Sequence, residues 1–233
     1  MKNKRIAIMQ PGYIPWLGFF ELMDKADLFV YLDDVQYTIR DWRNRNRIRT
    51  AQGWQWLSIP VLHKSRREQL LKDALINNQI DWRGSHLRAL EINYSKASFF
   101  SNNFSVITQI LLKHWENLTD LNITMIEVIR ELLGIKTPTI RASMLNNIKT
   151  GKTQRIISIC KQLQANYLYD SAAAASFIDI DLFAKEGIVV EFQNYKHPEY
   201  KQVYKPFIPY MSVLDLLFNC GRESLQNISN RKK

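Results

Sequence analysis

The sequence predicts an α/β fold: a Rossmann-like, mostly parallel sheet flanked by helices, with a helical insertion in the middle of the chain. Three observations predict it. Residues 5–32 read as strand, helix and strand; short apolar runs and helical periodicity keep alternating after residue 139; and residues 81–134 are helical in pattern. A strand joined through a helix to the next strand is the connection that parallel pairing needs.

Taken in order, Arg5–Met9 (RIAIM) is a β-branched run stopped by QPG, a strand followed by a turn. Ile14–Lys25 carries apolar residues at helical spacing, with Pro15 tolerated in the first turn. Asp27–Leu32 is a second buried strand, Trp54–Val61 another, and Leu70–Ile76 one more. The segments LRALEINYSKA, FSVITQILLKHWENL and ITMIEVIRELLG repeat apolar residues at i, i+3 and i+4, and Gly134 supplies a stop. Thr139–Ser143, Asn166–Asp170 and Ile188–Tyr195 read as strands; Thr153–Gln164, Ile180–Glu186 and Val213–Asn219 read as helices. Ser212 and Asp215 are spaced as a capping box for the last helix. No repeat or linker interrupts residues 1–233, so one α/β domain is expected, with its helical block at about 81–134.

Composition narrows the function classes. Apolar content of 46% and charged content of 23% are ordinary for a globular protein. A formal charge of +10 is not, and it favours anionic partners. The terminal NRKK reads as a solvated tail, which leaves the arginines at 40–49 as the charge to explain. Cys160 and Cys220 are far apart and lack metal-ligand spacing, which points to a reducing cytoplasm. Neither a signal peptide nor a membrane span is expected, since no apolar run reaches roughly 18 residues.

Ligands of open α/β sheets bind at the carboxyl ends of the strands. After the first strand that edge presents Gln10, Gly12 and Tyr13, with Trp16 at the start of the following helix; after the second it presents Asp33, Asp34, Gln36 and Tyr37. The Asp pair could hold Mg²⁺ on a substrate diphosphate. Neighbouring residues of an extended chain point opposite ways, however, so one Asp is expected to face the crevice unless the chain turns. That carboxylate would serve as a general base or bind a sugar hydroxyl. No metal ligand is assigned and no cofactor is identified.

Arg43, Arg45, Arg47 and Arg49 alternate with Asn44, Asn46 and Ile48. Extended, the four guanidinium groups share one face and can fork onto phosphates; the competing reading is a charged edge strand protected from aggregation. Arg43, Asn44 and Arg45 lie nearest the Asp pair in sequence, and Trp42 beside them either stacks a base or packs. His86 opens a helical pattern, where histidine is usually structural. His197 follows Gln193 and Tyr195 at alternating spacing and is a candidate base. Asp170 and Ser171 end another strand and so belong to the same edge.

These pieces together resemble the WbqC-like family of bacterial proteins. The resemblance is carried by IAIMQPGYIPWLGFFELM, FVYLDDVQYTIRDWRNRNRI, WLSIPV, WRGSHLRALEINYSKASFF, YLYD with FIDIDLF, and HPEY leading to FIPYMSVLDLLFNCGRES. One departure is DSAAAAS, where members tend to carry a Gly-containing segment. The resemblance implies a role in surface-polysaccharide (O-antigen, lipopolysaccharide) biosynthesis. The implied reaction is transfer of an aminoacyl group such as glycyl to the amine of a nucleotide-linked aminodeoxy sugar. A charged tRNA is an attractive donor for a basic protein, and no ATP-binding loop is present. In that reading Asp34 or His197 is the base, main-chain N–H groups near Tyr13 with Gln10 or Asn44 meet the oxyanion, and Arg43 and Arg45 hold phosphates. Two rivals stay open. A nucleotidylyltransferase would share the opening strand–turn–helix, although QPGY lacks the histidines of that class. A nucleotide-sugar or RNA-binding protein would bind without turnover.

Overall fold

The computed structural model describes residues 3–62 and 68–229, so the NRKK end lies outside the described residues. Five parallel strands form the central sheet: β1 (Arg5–Met9), β2 (Leu28–Tyr31), β5 (Thr139–Arg141), β6 (Tyr167–Asp170) and β7 (Val189–Phe192), in the order β5-β2-β1-β6-β7. The chain starts at the centre, winds to one edge, then crosses β1 to build the other half. Strand order therefore reverses at the β1–β6 seam, the switch point where this class of sheet opens a crevice.

Helices cover both faces because successive residues of β1 point opposite ways. Ile6 and Ile8 pack with Ile156, Ile157 and Cys160 of α5 (Lys152–Gln162) and Phe183 of α6 (Ile180–Lys185). Ala7 faces the larger core, shared with α1 (Leu17–Asp24), α4 (Leu118–Leu133) and α7 (Val213–Cys220). Three consecutive helices, α2 (Trp82–Tyr94), α3 (Phe100–Leu111) and α4, precede β5 in the chain. Asp81 and Asn117 cap the first and last of them through side-chain oxygens, and Gly134 ends α4 in the left-handed region at φ 78°. The small α8 (Ser224–Ile228) closes the described chain.

The arginine row is extended. β3 (Arg45–Thr50) pairs antiparallel with β4 (Gly53–Ser58) as a separate two-stranded sheet. Several expectations need correction. Leu70–Ile76 is no strand; it contains a 3₁₀ turn at Leu71–Asp73, tied down by isolated bridges such as Gln36–Leu70 and Val61–Ile76. The first helix begins at Leu17, because Trp16 bridges to Ser212 in extended conformation. The capping box at Ser212 and Asp215 does not form. Asp215 is fully buried and instead accepts from Tyr200 Oη (2.7 Å) and Gln202 Nε2 (2.8 Å). Burial raises the Asp215 pKa, and those donors oppose the rise.

Candidate functional site

A cavity of about 970 Å³ opens at the carboxyl edge of the sheet. Its floor is the end of β1 (Met9, Gln10), and its sides are the ends of β2 and β6, which supply Asp34 and Asp170. The loop after β1 supplies Gly12, where an added Cβ would stand 3.0 Å from the Trp42 carbonyl oxygen. That close approach lets the Tyr13 N–H donate to Trp42 O at 3.1 Å and fixes the arginine segment over the β1 turn. Asn122 of α4 completes the join, donating to Pro11 O (3.1 Å) and Arg43 O (2.7 Å).

The cationic groups converge from two sides. Arg43 and Arg47 come from the β3 segment, and Lys152 and Arg155 come from the first turn of α5. Gly151, the N-cap of α5, has φ 86° and lines the cavity, and no side chain caps the helix. The first N–H groups of a helix have no intrahelical partner and carry the positive end of its dipole. Arg43 donates from Nε to Gln10 Oε1 (2.5 Å) and pairs with Asp41. Gln10 Nε2 has no hydrogen-bond partner among the described residues. Arg47 donates to Tyr210 O at 3.1 Å.

The adjacent carboxylates at the end of β2 diverge. Asp33 is fully buried and accepts from Ser143 N (2.9 Å) and Ser143 Oγ (2.7 Å), so it anchors the β5 loop instead of touching a ligand. Asp34 lines the cavity, pairs with Arg155 through Oδ2, and keeps Oδ1 without a partner. The two therefore present no joint pair of oxygens to one cation, and among the described residues no three His, Cys, Asp or Glu side chains cluster. Across the cavity Asp170 is buried, with Oδ1 accepting from Ser171 N at 2.7 Å. Desolvation raises its pKa to about 6, against the hydrogen bond from Ser171.

Trp16, Gln36 and Ser171 also line the cavity, and Trp42, Phe177 and Tyr210 give it aromatic walls. Other sequence candidates lie elsewhere, each for a visible reason. Tyr13 is buried with its hydroxyl 2.9 Å from His86 Nδ1, and His86 Nε2 lies 3.2 Å from Ser58 O. Burial lowers the His86 pKa to about 4, so this pair is neutral core. Tyr37 is buried, its N–H donating to Gln69 O at 3.0 Å. Asn44 donates to Ile59 O at 2.8 Å. Arg45 lies 4.3 Å over the Trp56 ring, outside the cavity. Gln193 is buried and donates to Gly18 O and Glu21 Oε2.

His197 does not line the cavity either. Its Nε2 accepts from Tyr210 N (3.1 Å) and its Nδ1 lies 2.8 Å from Pro198 O, which uses both nitrogens in one tautomer. Burial lowers its pKa. With no free lone pair, it splints a loop and is a poor proton acceptor. The oxyanion donors expected near Tyr13 and at Asn44 are likewise occupied.

Gly151, Lys152 and Arg155 escaped the sequence reading. The signal was present: the segment between the Thr139–Ser143 strand and the next helix is a strand-to-helix junction of the same parallel sheet, and every such junction faces the same edge.

The profile of the WbqC-like protein family matches residues 10–227. The chain is 41% identical over 223 residues to the uncharacterized protein Rv1507c of Mycobacterium tuberculosis (strain ATCC 25618 / H37Rv), covering 95% of this chain and 96% of that protein. No solved structure matches it.

Proposed function

This chain belongs to the WbqC-like protein family, which is linked to polysaccharide biosynthesis, and we propose that it transfers an aminoacyl group, such as glycyl, to the amine of a nucleotide-linked aminodeoxy sugar. The observation that carries the reading is one cavity in which Arg43, Arg47, Lys152 and Arg155 face the carboxylates of Asp34 and Asp170. The cations and the uncapped α5 N-terminus suit a diphosphate. The aromatic walls suit a nucleobase and a sugar ring.

Acyl transfer to an amine needs a proton acceptor whose pKa lies near the working pH. Asp170, at about 6, meets that requirement. It takes a proton from the sugar ammonium. The freed amine attacks the carbonyl carbon of an aminoacyl ester; the C–N bond forms, the C–O bond to the donor ribose breaks, the nitrogen gives its second proton to the leaving oxygen, and the proton first taken by Asp170 returns to solvent. Asp34 Oδ1 accepts an N–H or O–H of the sugar and orients it. Gln10 Nε2 is the donor nearest to hand for the developing oxyanion.

The test is a transfer assay with purified protein, a nucleoside-diphosphate aminodeoxy sugar and charged tRNA, reading the amide product by mass spectrometry. Product that falls at least tenfold in Asp34→Asn is expected. Undiminished turnover removes Asp34 from the mechanism, and absence of product from the wild-type protein with every donor tried leaves the binding-protein reading in its place.

A further inference from the structure

The β3–β4 hairpin has one buried face and one face that is open at Arg45, Arg47, Trp54 and Trp56 and closed at Arg49, which is buried on the same side. Asn46 and Ile48 point into the core with Leu57. Cross-strand partners share a face, so Arg45, Arg47, Trp54 and Trp56 point the other way, in the register Arg47–Trp56 and Arg49–Trp54. On that open face cations and indoles interleave. The Arg45 guanidinium lies 4.3 Å from the Trp56 ring centre, and that of Arg47 lies 5.2 Å from Trp54 and 5.5 Å from Trp42. The Trp42 and Trp56 rings stand 5.2 Å apart, and Trp54 and Trp56 5.5 Å.

Trp42 and Trp54 are 46% and 44% exposed, although indoles are costly to leave in water. The Nε groups of Arg45 and Arg47 are buried under the rings without a hydrogen-bond partner. Residues 42–62 contain no acidic side chain at all. A charged edge strand protected from aggregation needs lysines or arginines, but it gains nothing from exposed tryptophans between them. Aromatic faces set in a cationic strip are what unpaired bases stack on while their phosphates are neutralised. The strip is also continuous with the cavity, since Arg47 and Trp42 belong to both, whereas Trp54 lies two residues further along the hairpin and outside the cavity.

We propose that this Trp–Arg face is a stacking platform for the unpaired 3′ end of an aminoacyl-RNA donor, which lies across the hairpin and delivers its terminal aminoacyl ester into the cavity. The inference rests on the transferase reading for its purpose and names the donor that reading requires. Recognition is by stacking and phosphate charge, so binding follows the single strand and not the duplex, and it weakens steeply with salt.

The test uses the full chain and two fluorescent RNA hairpins, one with a four-nucleotide unpaired 3′ end and one blunt, with anisotropy read at fixed salt. The unpaired end should improve affinity about tenfold, and Trp54→Ala should remove about tenfold from the overhang hairpin and little from the blunt one, as expected for loss of one stacked base. Trp54→Phe should restore most of it. Equal binding of both hairpins, a Trp54→Ala affinity within twofold of wild type, or equal competition by anionic phosphatidylglycerol vesicles would overturn the platform. Trp54 is exposed and does not itself line the cavity, so acylation from the small ester aminoacyl-adenosine should be unchanged in Trp54→Ala. That arm separates the two ideas: transfer from aminoacyl-adenosine with Trp54-independent RNA binding sinks the platform and spares the transferase, while Trp54-dependent binding without any transfer does the reverse.

Discussion

The ends of β2 and β6 flank the same central strand, and both carry aspartates, yet they do different work. At β2 each carboxylate is matched: Asp33 by the N–H and hydroxyl of Ser143, Asp34 by Arg155. At β6, Asp170 is desolvated with only the uncharged backbone and side-chain groups of Ser171 as donors, and its pKa rises to about 6. Residue type and position on the sheet edge are therefore insufficient to assign a role. What separates the cavity carboxylates Asp34 and Asp170 is the charge of the donor beside each once water is gone: a guanidinium on Asp34, neutral Ser171 groups on Asp170.

That contrast can be broken by mutation, and the largest expected effect is at Asp33. Asp33→Ala would leave the N–H and hydroxyl of Ser143 unpaired in a buried site and should cost about 3 kcal/mol, measured by urea unfolding at neutral pH. A loss below about 1 kcal/mol would show that Asp33 is not the anchor described.

Asp170 should behave in the opposite sense. Its folded-state pKa is raised from 3.8 to about 6, so the folded protein holds a proton that the unfolded chain releases between those values. The sign of the linkage follows: wild-type stability falls as pH climbs from about 4 to about 6, then levels off. Asp170→Asn lacks that fall and should gain on the order of 2 kcal/mol over wild type at pH 7 while matching it near pH 4. In the transfer assay the same variant should lose most of its turnover, and the residual rate should lack the acid limb centred near pH 6. Identical pH–stability curves for the two proteins would refute the assignment.

The smallest effect belongs to His197. His197→Ala removes the bond to Tyr210 N and frees Pro198 O in a half-buried loop, a loss of about 1 kcal/mol or less. The pH profile of transfer should keep its acid limb. A vanished limb would return His197 to the chemistry and demote Asp170.

The alternation of strand and helix made the parallel sheet legible from sequence, because period and parity are local properties. The edge that carries the cavity followed from topology, and Gln10, Trp16, Asp34, Gln36, Arg43, Asp170 and Ser171 do meet there. What stayed hidden depends on three-dimensional neighbours. Asp33 and Asp34 are indistinguishable in sequence until Ser143 and Arg155, more than a hundred residues away, take one oxygen set each. Leu70–Ile76 has the residues of a strand, but no neighbouring strand offers it a ladder, and it settles as a 3₁₀ turn. His197 looked reactive because its sequence neighbours are polar and aromatic; the Tyr210 N–H that occupies it comes from a separate loop.

Asn122 has a bearing on how far relatives of this chain can diverge. One carboxamide holds carbonyls from two loops, adding to the Tyr13–Trp42 and Arg43–Gln10 bonds that also join them. A residue added to α4 ahead of Asn122 would swing that side chain by about 100° around the helix axis, and both loops would lose their tie to the helix together. The length between the Asn117 cap and Asn122 is thus fixed by the spacing of a mouth it never enters, and insertions should gather on the far side of the helix's capped first turn.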